Sequence, residues 1–160
     1  MGVSGSGKTT LGGELAARLG CDFLDGDDVH PAENVAKMAA GTPLEDADRW
    51  PWLARLNALL REAEQAGRGT VLACSALKAA YRDRLAEGIR GCRWVHLHAT
   101  PEILRARLAQ RRHRYMPASL LESQFAALEP PAGALCIDVG EPFEACLRAA
   151  LAGLAPASPL

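Results

Sequence analysis

The chain has 160 residues, a length that fits one compact domain. Its apolar fraction of 49% and charged fraction of 23% are ordinary for folded proteins and exclude a wholly disordered chain. The formal net charge of -1 argues against a dedicated nucleic-acid binder, because such proteins carry a positive excess.

The cysteine content and the hydropathy of the chain indicate its cellular compartment. Five cysteines occur without a C-x-x-C pair, which predicts reduced and mostly buried thiols rather than disulfides or a zinc site. No apolar run reaches the roughly 18 residues that span a bilayer, and the first residues lack the pattern of a secretion signal. These features favour a cytoplasmic protein without a membrane partner.

Short apolar runs alternate with stretches of helical period along the chain. This alternation predicts an α/β fold, a parallel sheet with helices on both faces, in a single domain over residues 1–160. The predicted strands are residues 21–24, 70–74, 93–98 and 135–139. The predicted helices are residues 9–19, 101–112, 117–128 and 142–154, and one that Asp48 caps and Gly67 closes.

Residues 2–9, GVSGSGKT, match the phosphate-loop pattern G-x-x-x-x-G-K-[ST] at every fixed position. Glycines let backbone N–H groups turn towards phosphate oxygens, the lysine reaches the β and γ phosphates, and the threonine hydroxyl ligates Mg²⁺. The pattern predicts ATP and Mg²⁺ as cofactors, with Lys8 also catalytic. The predicted contacts are Gly2, Ser4, Gly5, Ser6, Gly7, Lys8, Thr9 and Thr10.

Only Met1 precedes this loop, whereas such loops normally follow a buried strand. The loss of three buried aliphatic side chains costs roughly 5 to 9 kcal/mol, which rivals the stability of a whole domain. We therefore expect that the first strand is missing and that the natural chain starts upstream of Met1. An intact mass measured on protein from the native source tests this expectation.

The segment FLDGDDVHP (23–31) follows a predicted strand and places carboxylates where open α/β sheets bind ligands. Because Asp25 and Asp27 stand on either side of Gly26, one can face a metal and the other the acceptor, and Asp27 is suited to accept a proton from an attacking hydroxyl. A solvated acidic turn is the alternative. His30, Lys37 and Arg49 are predicted near the same cleft, where cations suit an anionic substrate. Trp50 and Trp52 are predicted as packing residues.

Five segments, in this order and spacing, resemble the gluconokinase family: MGVSGSGKTT, FLDGDDVHP, KMAAGTPLEDADRWPWL, CSALKAAYRD and LLESQFAALEPP. The resemblance extends from Gly2 to about Pro131. It implies a P-loop fold of the nucleoside monophosphate kinase and shikimate kinase type. It also implies transfer of the ATP γ-phosphate to the 6-hydroxyl of D-gluconate, with Mg²⁺, by a homodimer.

The resemblance also assigns site residues by position. Asp27 faces the acceptor, and Asp25 approaches the Mg²⁺ shell with Thr9. The expected gluconate contacts are Asp27, His30, Arg49 and Arg82. Ser75 and Lys78 are expected to border the same cleft.

Five arginines between Arg105 and Arg114 suggest either a basic face for nucleic acid or a lid that closes over ATP. The lid, around residues 105–120, agrees with the neutral total charge, and Arg107 and Arg111 share one helical face. They are the predicted catalytic arginines. Residues 111–116, RRHRYM, depart from the family pattern R-x-G-H-F-M, so we expect ATP binding to survive while turnover differs.

Other functions remain open at this point. The same fold serves kinases whose acceptor is shikimate, another sugar acid or a nucleotide. A nucleotide-binding module without catalysis agrees with the absent strand and the altered lid. RNA binding is weakly supported, because no aromatic stacking pattern accompanies the arginines.

Overall fold

The computed structural model describes residues 1–110 and 119–155. Four strands confirm the four predicted runs, with slightly shorter bounds. They are β1 (Asp22–Asp25), β2 (Thr70–Ala73), β3 (Val95–His98) and β4 (Leu135–Asp138). The β1 and β2 strands pair in parallel with Asp22 opposite Thr70, and β3 and β4 pair in parallel with Val95 opposite Leu135.

Met1 and Gly2 lie between these two pairs of strands. The Met1 nitrogen donates to the Val95 carbonyl at 2.6 Å, and the Leu97 N–H donates to the Met1 carbonyl at 2.9 Å. This is the pattern of a parallel ladder. On the other side, the Gly2 N–H donates to the Ser75 carbonyl at 3.2 Å.

A cavity of about 480 Å³ lies along β2 and β3, and Met1 forms part of its lining. Its lining includes Val71 and Leu72 of β2 and Val95 and Leu97 of β3. Met1, directly before the phosphate loop, is thus paired with β3 at the edge of this cavity. The expected upstream start of the natural chain stays a prediction.

Seven helices surround the strands in the described part of the chain. They are α1 (Lys8–Leu19), α2 (Ala32–Ala39), α3 (Asp46–Gln65), α4 (Ala79–Ala86), α5 (Pro101–Gln110), α6 (Ser119–Ala127) and α7 (Phe143–Leu154). A short 3₁₀ turn, Gly26–Val29, follows β1.

The side chains of β2 show that helices cover both faces of the sheet. Gly12 of α1 lies against Val71 and Ala73, while Leu72 and Cys74 belong to the apolar cluster formed with α3. Because successive side chains of a strand point to opposite faces, α1 and α3 lie on opposite sides. The predicted three-layer arrangement is confirmed.

Each face has its own apolar core. On one side, Leu11 and Leu15 of α1 pack with Leu104 of α5, Leu121 of α6 and Leu147 of α7. On the other side, Met1 packs with Trp52, Leu53 and Leu56 of α3 and with Leu85 of α4. The phosphate loop lies where these two cores meet, because Val3 belongs to the first and Met1 to the second.

Several local predictions were wrong. The N-cap of α3 is Glu45, and Asp48 occupies the third helical position of a capping box, so the helix begins before its predicted start. Helices α2 and α4 were not predicted, because each has only eight residues and no side-chain cap. The five cysteines are free, as predicted. They are not mostly buried, because Cys92 and Cys136 are exposed.

The α5 start at Pro101 and the α7 end at Leu154 match their predictions. Among the described residues, no helix combines the length and apolar character that a membrane span requires.

Candidate active site

The phosphate loop has the backbone that its glycines predict. Gly7 is left-handed, with φ of 86°, and forms the N-cap of α1. Gly2 has φ of 139°, and a Cβ there would lie 2.4 Å from the Leu97 carbonyl oxygen. A side chain at Gly2 therefore clashes with β3, so the close approach of loop and strand requires glycine. The loop ends at the positive N-terminal end of a twelve-residue helix, which favours an anion.

Lys8, which is partly buried, opens the first turn of α1. Its Nζ donates to the Val3 carbonyl within the loop at 3.1 Å. Burial lowers the pKa of this ammonium group, and the nearby carboxylates Asp27 and Asp25 act in the opposite direction. An anion bound at the phosphate loop would favour the protonated form of Lys8.

Thr9 and Asp25, the two predicted metal ligands, are in direct contact. The Thr9 Oγ1 donates to the Asp25 Oδ2 at 2.7 Å, and the other oxygen of Asp25 accepts from the Asp27 N–H at 3.0 Å. A hydroxyl and a carboxylate side by side suit Mg²⁺, which takes one or two protein oxygens together with substrate phosphates. In residues 1–110 and 119–155, no three His, Cys, Asp or Glu side chains form a metal cluster.

A cavity of about 300 Å³ opens beside the phosphate loop and is bounded by α2, α3 and α6. It brings together four residues that the sequence predicted to act together, namely Lys8, Asp27, His30 and Arg49. Ser4 of the loop and Ser75 after β2 also line it. The cavity thus joins the phosphate loop to carboxylate, imidazole and guanidinium groups.

His30 stacks on the indole of Trp52, with ring centroids 4.0 Å apart and planes 15° apart. Burial, assisted by the positive charge of Arg49, lowers the pKa of His30 to about 4. The Asn34 amide nitrogen lies 3.5 Å from His30 Nδ1. With this low pKa, the ring is therefore neutral at physiological pH.

The two tryptophans differ in their surroundings. Trp52 is buried, and its Nε1 donates to the Gly26 carbonyl at 2.8 Å, which confirms the packing prediction. Trp50 is 39% exposed and packs edge-on against Tyr81, with ring centroids 5.5 Å apart. It is therefore not a core residue.

Arg49 belongs to a polar cluster at the rim of the cavity. Its Nη1 donates to the Tyr81 Oη at 3.3 Å, and the Tyr81 hydroxyl donates to Asp46 Oδ1 at 2.5 Å. Lys78 Nζ donates to both oxygens of Asp46, at 2.8 and 3.0 Å. The hydrogen bond from Lys78 is the main cause that lowers the pKa of Asp46. One carboxylate thus holds two cations and a tyrosine in place.

Arg82 does not line the cavity, although it was predicted to contact substrate. Its side chain is buried, and Nη1 donates to the carbonyls of Ala76 and Leu77, each at 3.0 Å. Ala76 has a positive φ of 45°, so these bonds hold a strained turn. In this structure Arg82 fixes the loop that carries Ser75 and Lys78.

The lid arginines are only partly described. Arg107 Nη2 donates to the Val139 carbonyl after β4 at 2.5 Å, so its guanidinium is engaged with the protein. Arg105 pairs with Glu122 of α6 at 2.5 Å. Arg111 and the departure from the family pattern at residues 112–116 lie outside the described residues, and the lid stays a prediction.

The sequence did not single out Tyr81, Asp46, Asn34 or Gln124 as site residues. The Gln124 Oε1 accepts from the Ser4 N–H at 2.7 Å, and Asn34 joins His30 to the Asp48 carbonyl. Tyr81, Asn34 and Gln124 are neutral polar residues, and Asp46 has its main partners more than 30 positions away, so none has a recognisable spacing. For Tyr81, Asp46 and Gln124, the available signal was their presence in the segments that carry the family resemblance, whereas Asn34 lies between two of these segments.

A left-handed glycine loop that opens a helix, an adjacent Thr–Asp pair and a polar cavity define a P-loop phosphotransferase site. The comparisons with known proteins agree. The AAA domain family model matches residues 1–131. The gluconokinase of Gluconobacter oxydans is 52% identical over 131 residues, which cover 82% of this chain and 74% of that protein.

Solved structures give the same assignment. A gluconokinase from Sinorhizobium meliloti superposes with a TM-score of 0.87 at 44% identity, covering 97% of this chain and 89% of that one. A sugar kinase from Janibacter sp. superposes with a TM-score of 0.90 at 42% identity, covering 98% and 93%. The chain belongs to the gluconokinase family.

Proposed function

We propose that this protein transfers the γ-phosphate of ATP to the 6-hydroxyl of D-gluconate, giving 6-phospho-D-gluconate and ADP. The observation that carries the proposal is the cavity in which Lys8 of the phosphate loop meets Asp27, His30 and Arg49. Relatives named gluconokinase, 46 to 52% identical over 82% of the chain, supply the identity of the acceptor.

The phosphate loop, from Gly2 to Thr10, binds the polyphosphate through its backbone N–H groups, and Lys8 neutralises the β and γ phosphates. Thr9 and Asp25 supply oxygen ligands for Mg²⁺, which when bound offsets charge on the phosphates. The protein's part at this end is to hold the polyanion in one orientation.

At the other end, Arg49 binds the gluconate carboxylate, and the neutral His30 ring forms a hydrogen bond with a hydroxyl of the acceptor. Asp27 accepts the proton of the 6-hydroxyl group, while the oxygen of that hydroxyl forms a bond to the γ phosphorus. The bond from phosphorus to the bridging oxygen breaks, and ADP leaves with its electron pair. Arg107 and Arg111 are proposed to stabilise the transferred group when the lid closes.

The test is an ADP-release assay with gluconate, shikimate and AMP as alternative acceptors. We expect turnover with gluconate, and we expect Asp27→Asn to lower kcat by about 10²- to 10⁴-fold while an ATP analogue still binds. The exposed carboxylate Asp83 on α4 provides the matched control, Asp83→Asn. Gluconate at background rate would overturn the proposal, and analogue binding without product would favour a non-catalytic module.

We further propose a homodimer, on the family resemblance alone. Light scattering on the purified chain measures its mass in solution. A mass of one chain at working concentrations contradicts this part of the proposal without affecting the rest.

A further inference from the structure

The turn that follows β2, residues 75–78, forms one wall of the acceptor cavity, and we call it the post-β2 turn. Ser75 and Leu77 of this turn line the cavity, as does Tyr81 of the following helix, α4. The Ser75 carbonyl also accepts a hydrogen bond from the Gly2 N–H of the phosphate loop at 3.2 Å. The conformation of the post-β2 turn therefore affects the shape of the acceptor end of the site.

The backbone of the post-β2 turn is strained at Ala76. Of the non-glycine residues that the structure describes, Ala76 alone has a positive φ, at 45°. A β-carbon disfavours this left-handed region, so an alanine adopts it only where surrounding contacts hold it there. Ala76 is 1% exposed and belongs to the core with Trp52 and Leu53. The strained conformation must therefore be held by contacts with other segments of the chain.

Arg82 supplies two of these contacts from α4. The residue is buried, and its Nη1 donates to the Ala76 carbonyl and to the Leu77 carbonyl, each at 3.0 Å. The Leu77 carbonyl also accepts from the Glu129 N–H at 2.9 Å. Hydrogen bonds from a charged guanidinium are stronger than those between neutral groups. Arg82 thus fixes the two peptide carbonyls that begin at the strained residue.

We propose that Arg82 is a positioning residue for the acceptor: by holding the strained post-β2 turn, it fixes the cavity wall against which the sugar acid binds. This inference rests on the proposed function. Arg82 itself does not line the cavity, so it acts through the turn. The phosphate loop has separate supports, because Met1 pairs with β3 and Gly7 caps α1. Loss of Arg82 should therefore weaken acceptor binding more than ATP binding.

Two substitutions test this route. Arg82→Met keeps a long side chain and removes the donors, so we expect KM for gluconate to rise by about tenfold while KM for ATP stays within about threefold of wild type. Adding Ala76→Gly to this variant should lower KM for gluconate again by about threefold or more, because glycine adopts a positive φ without the steric penalty. A direct contact between Arg82 and the acceptor would not be restored by Ala76→Gly.

The matched control is Arg84→Met, which removes an ion pair with Glu87 at the end of the same helix and should leave both KM values unchanged. Arg82→Lys keeps the charge and loses the planar fork, so it should raise KM for gluconate by about threefold or more. Circular dichroism shows whether each variant is folded. If Arg82→Met is not, Arg82→Lys with and without Ala76→Gly gives the same comparison.

Four results would overturn the proposal. They are a wild-type KM for gluconate in the folded Arg82 variants, the absence of rescue by Ala76→Gly, equal rises in both KM values, and an equal effect in Arg84→Met. A fall in kcat with both KM values unchanged would also overturn it, because that pattern indicates a smaller fraction of folded enzyme. Wild-type enzyme that is inactive with gluconate would instead refute the proposed function, so the two failures differ.

Discussion

The Thr9 hydroxyl donates to the Asp25 carboxylate at 2.7 Å and so joins the first turn of α1 to the end of β1. The same carboxylate accepts a hydrogen bond from the Asp27 N–H at 3.0 Å, which orders the start of the 3₁₀ turn Gly26–Val29. One carboxylate thus connects the candidate metal position to the candidate base. Asp25, the candidate metal ligand, and Asp27, the candidate base, thus lie on one short segment.

The Thr9 hydroxyl is expected to serve as a magnesium ligand. Thr9→Val keeps the shape of the side chain and removes the oxygen, so the Mg²⁺ concentration for half-maximal rate should rise by at least about tenfold. Thr9→Ser keeps the hydroxyl and should resemble wild type. Initial rates measured against Mg²⁺ at saturating ATP give the comparison, and a wild-type response in Thr9→Val would contradict the assignment.

Arg49 is expected to need its planar guanidinium, because it contacts Tyr81 while binding the acceptor. Arg49→Lys should raise KM for gluconate by about tenfold or more and leave KM for ATP unchanged. Asp46→Asn, which weakens the hold on Lys78 and Tyr81, should change the same constant in the same direction but less. The exposed Arg55 on the same helix provides the control, Arg55→Lys. Equal effects at positions 49 and 55 would argue against a specific contact.

His30 is expected to make stability depend on pH. Its pKa is about 4 in the folded protein, against 6.5 for a solvent-exposed histidine. Between these values the unfolded chain binds more protons, so the free energy of unfolding should fall as pH drops through this window. His30→Gln removes that contribution. Urea unfolding of both proteins at about pH 4.5 and about pH 7 checks the prediction, which identical pH dependences would refute.

Trp52 is expected to stabilise the turn that carries the acceptor-side carboxylates. Trp52→Phe removes the Nε1 donor and leaves the Gly26 carbonyl without this bond, which should cost about 1 to 3 kcal/mol. Trp50→Phe, at the exposed neighbour, should change the free energy of unfolding by about 0.5 kcal/mol or less. Urea midpoints distinguish the two, and equal losses would mean that the bond to Gly26 is not the cause.

The sequence predicted the parts of this site that depend on short-range patterns. Residues 2–9 form the expected loop, because glycines and a following amphipathic helix fix the local backbone. Asp27, His30 and Arg49 line one cavity as predicted, with Asp27 and His30 beyond the carboxyl end of β1, where open α/β sheets bind ligands, and Arg49 in the first turn of α3.

Other roles depended on partners distant in the chain. Arg82 was predicted to contact substrate, yet it bonds to the carbonyls of Ala76 and Leu77, because the α4 helix turns its guanidinium inward. The eight-residue helices α2 and α4 were not predicted, since helices this short depend on tertiary packing and neither has a side-chain cap.

By itself, the sequence determined the three-layer class, the phosphate loop and the family, since each is encoded in neighbouring residues or in the order of segments. Only the tertiary structure decided that Gln124 meets Ser4, that Asp46 holds Lys78 and Tyr81, and that Met1 pairs with β3. The physical reason is that a polar side chain acquires its partner when separate elements pack together, and no local spacing records which element that is.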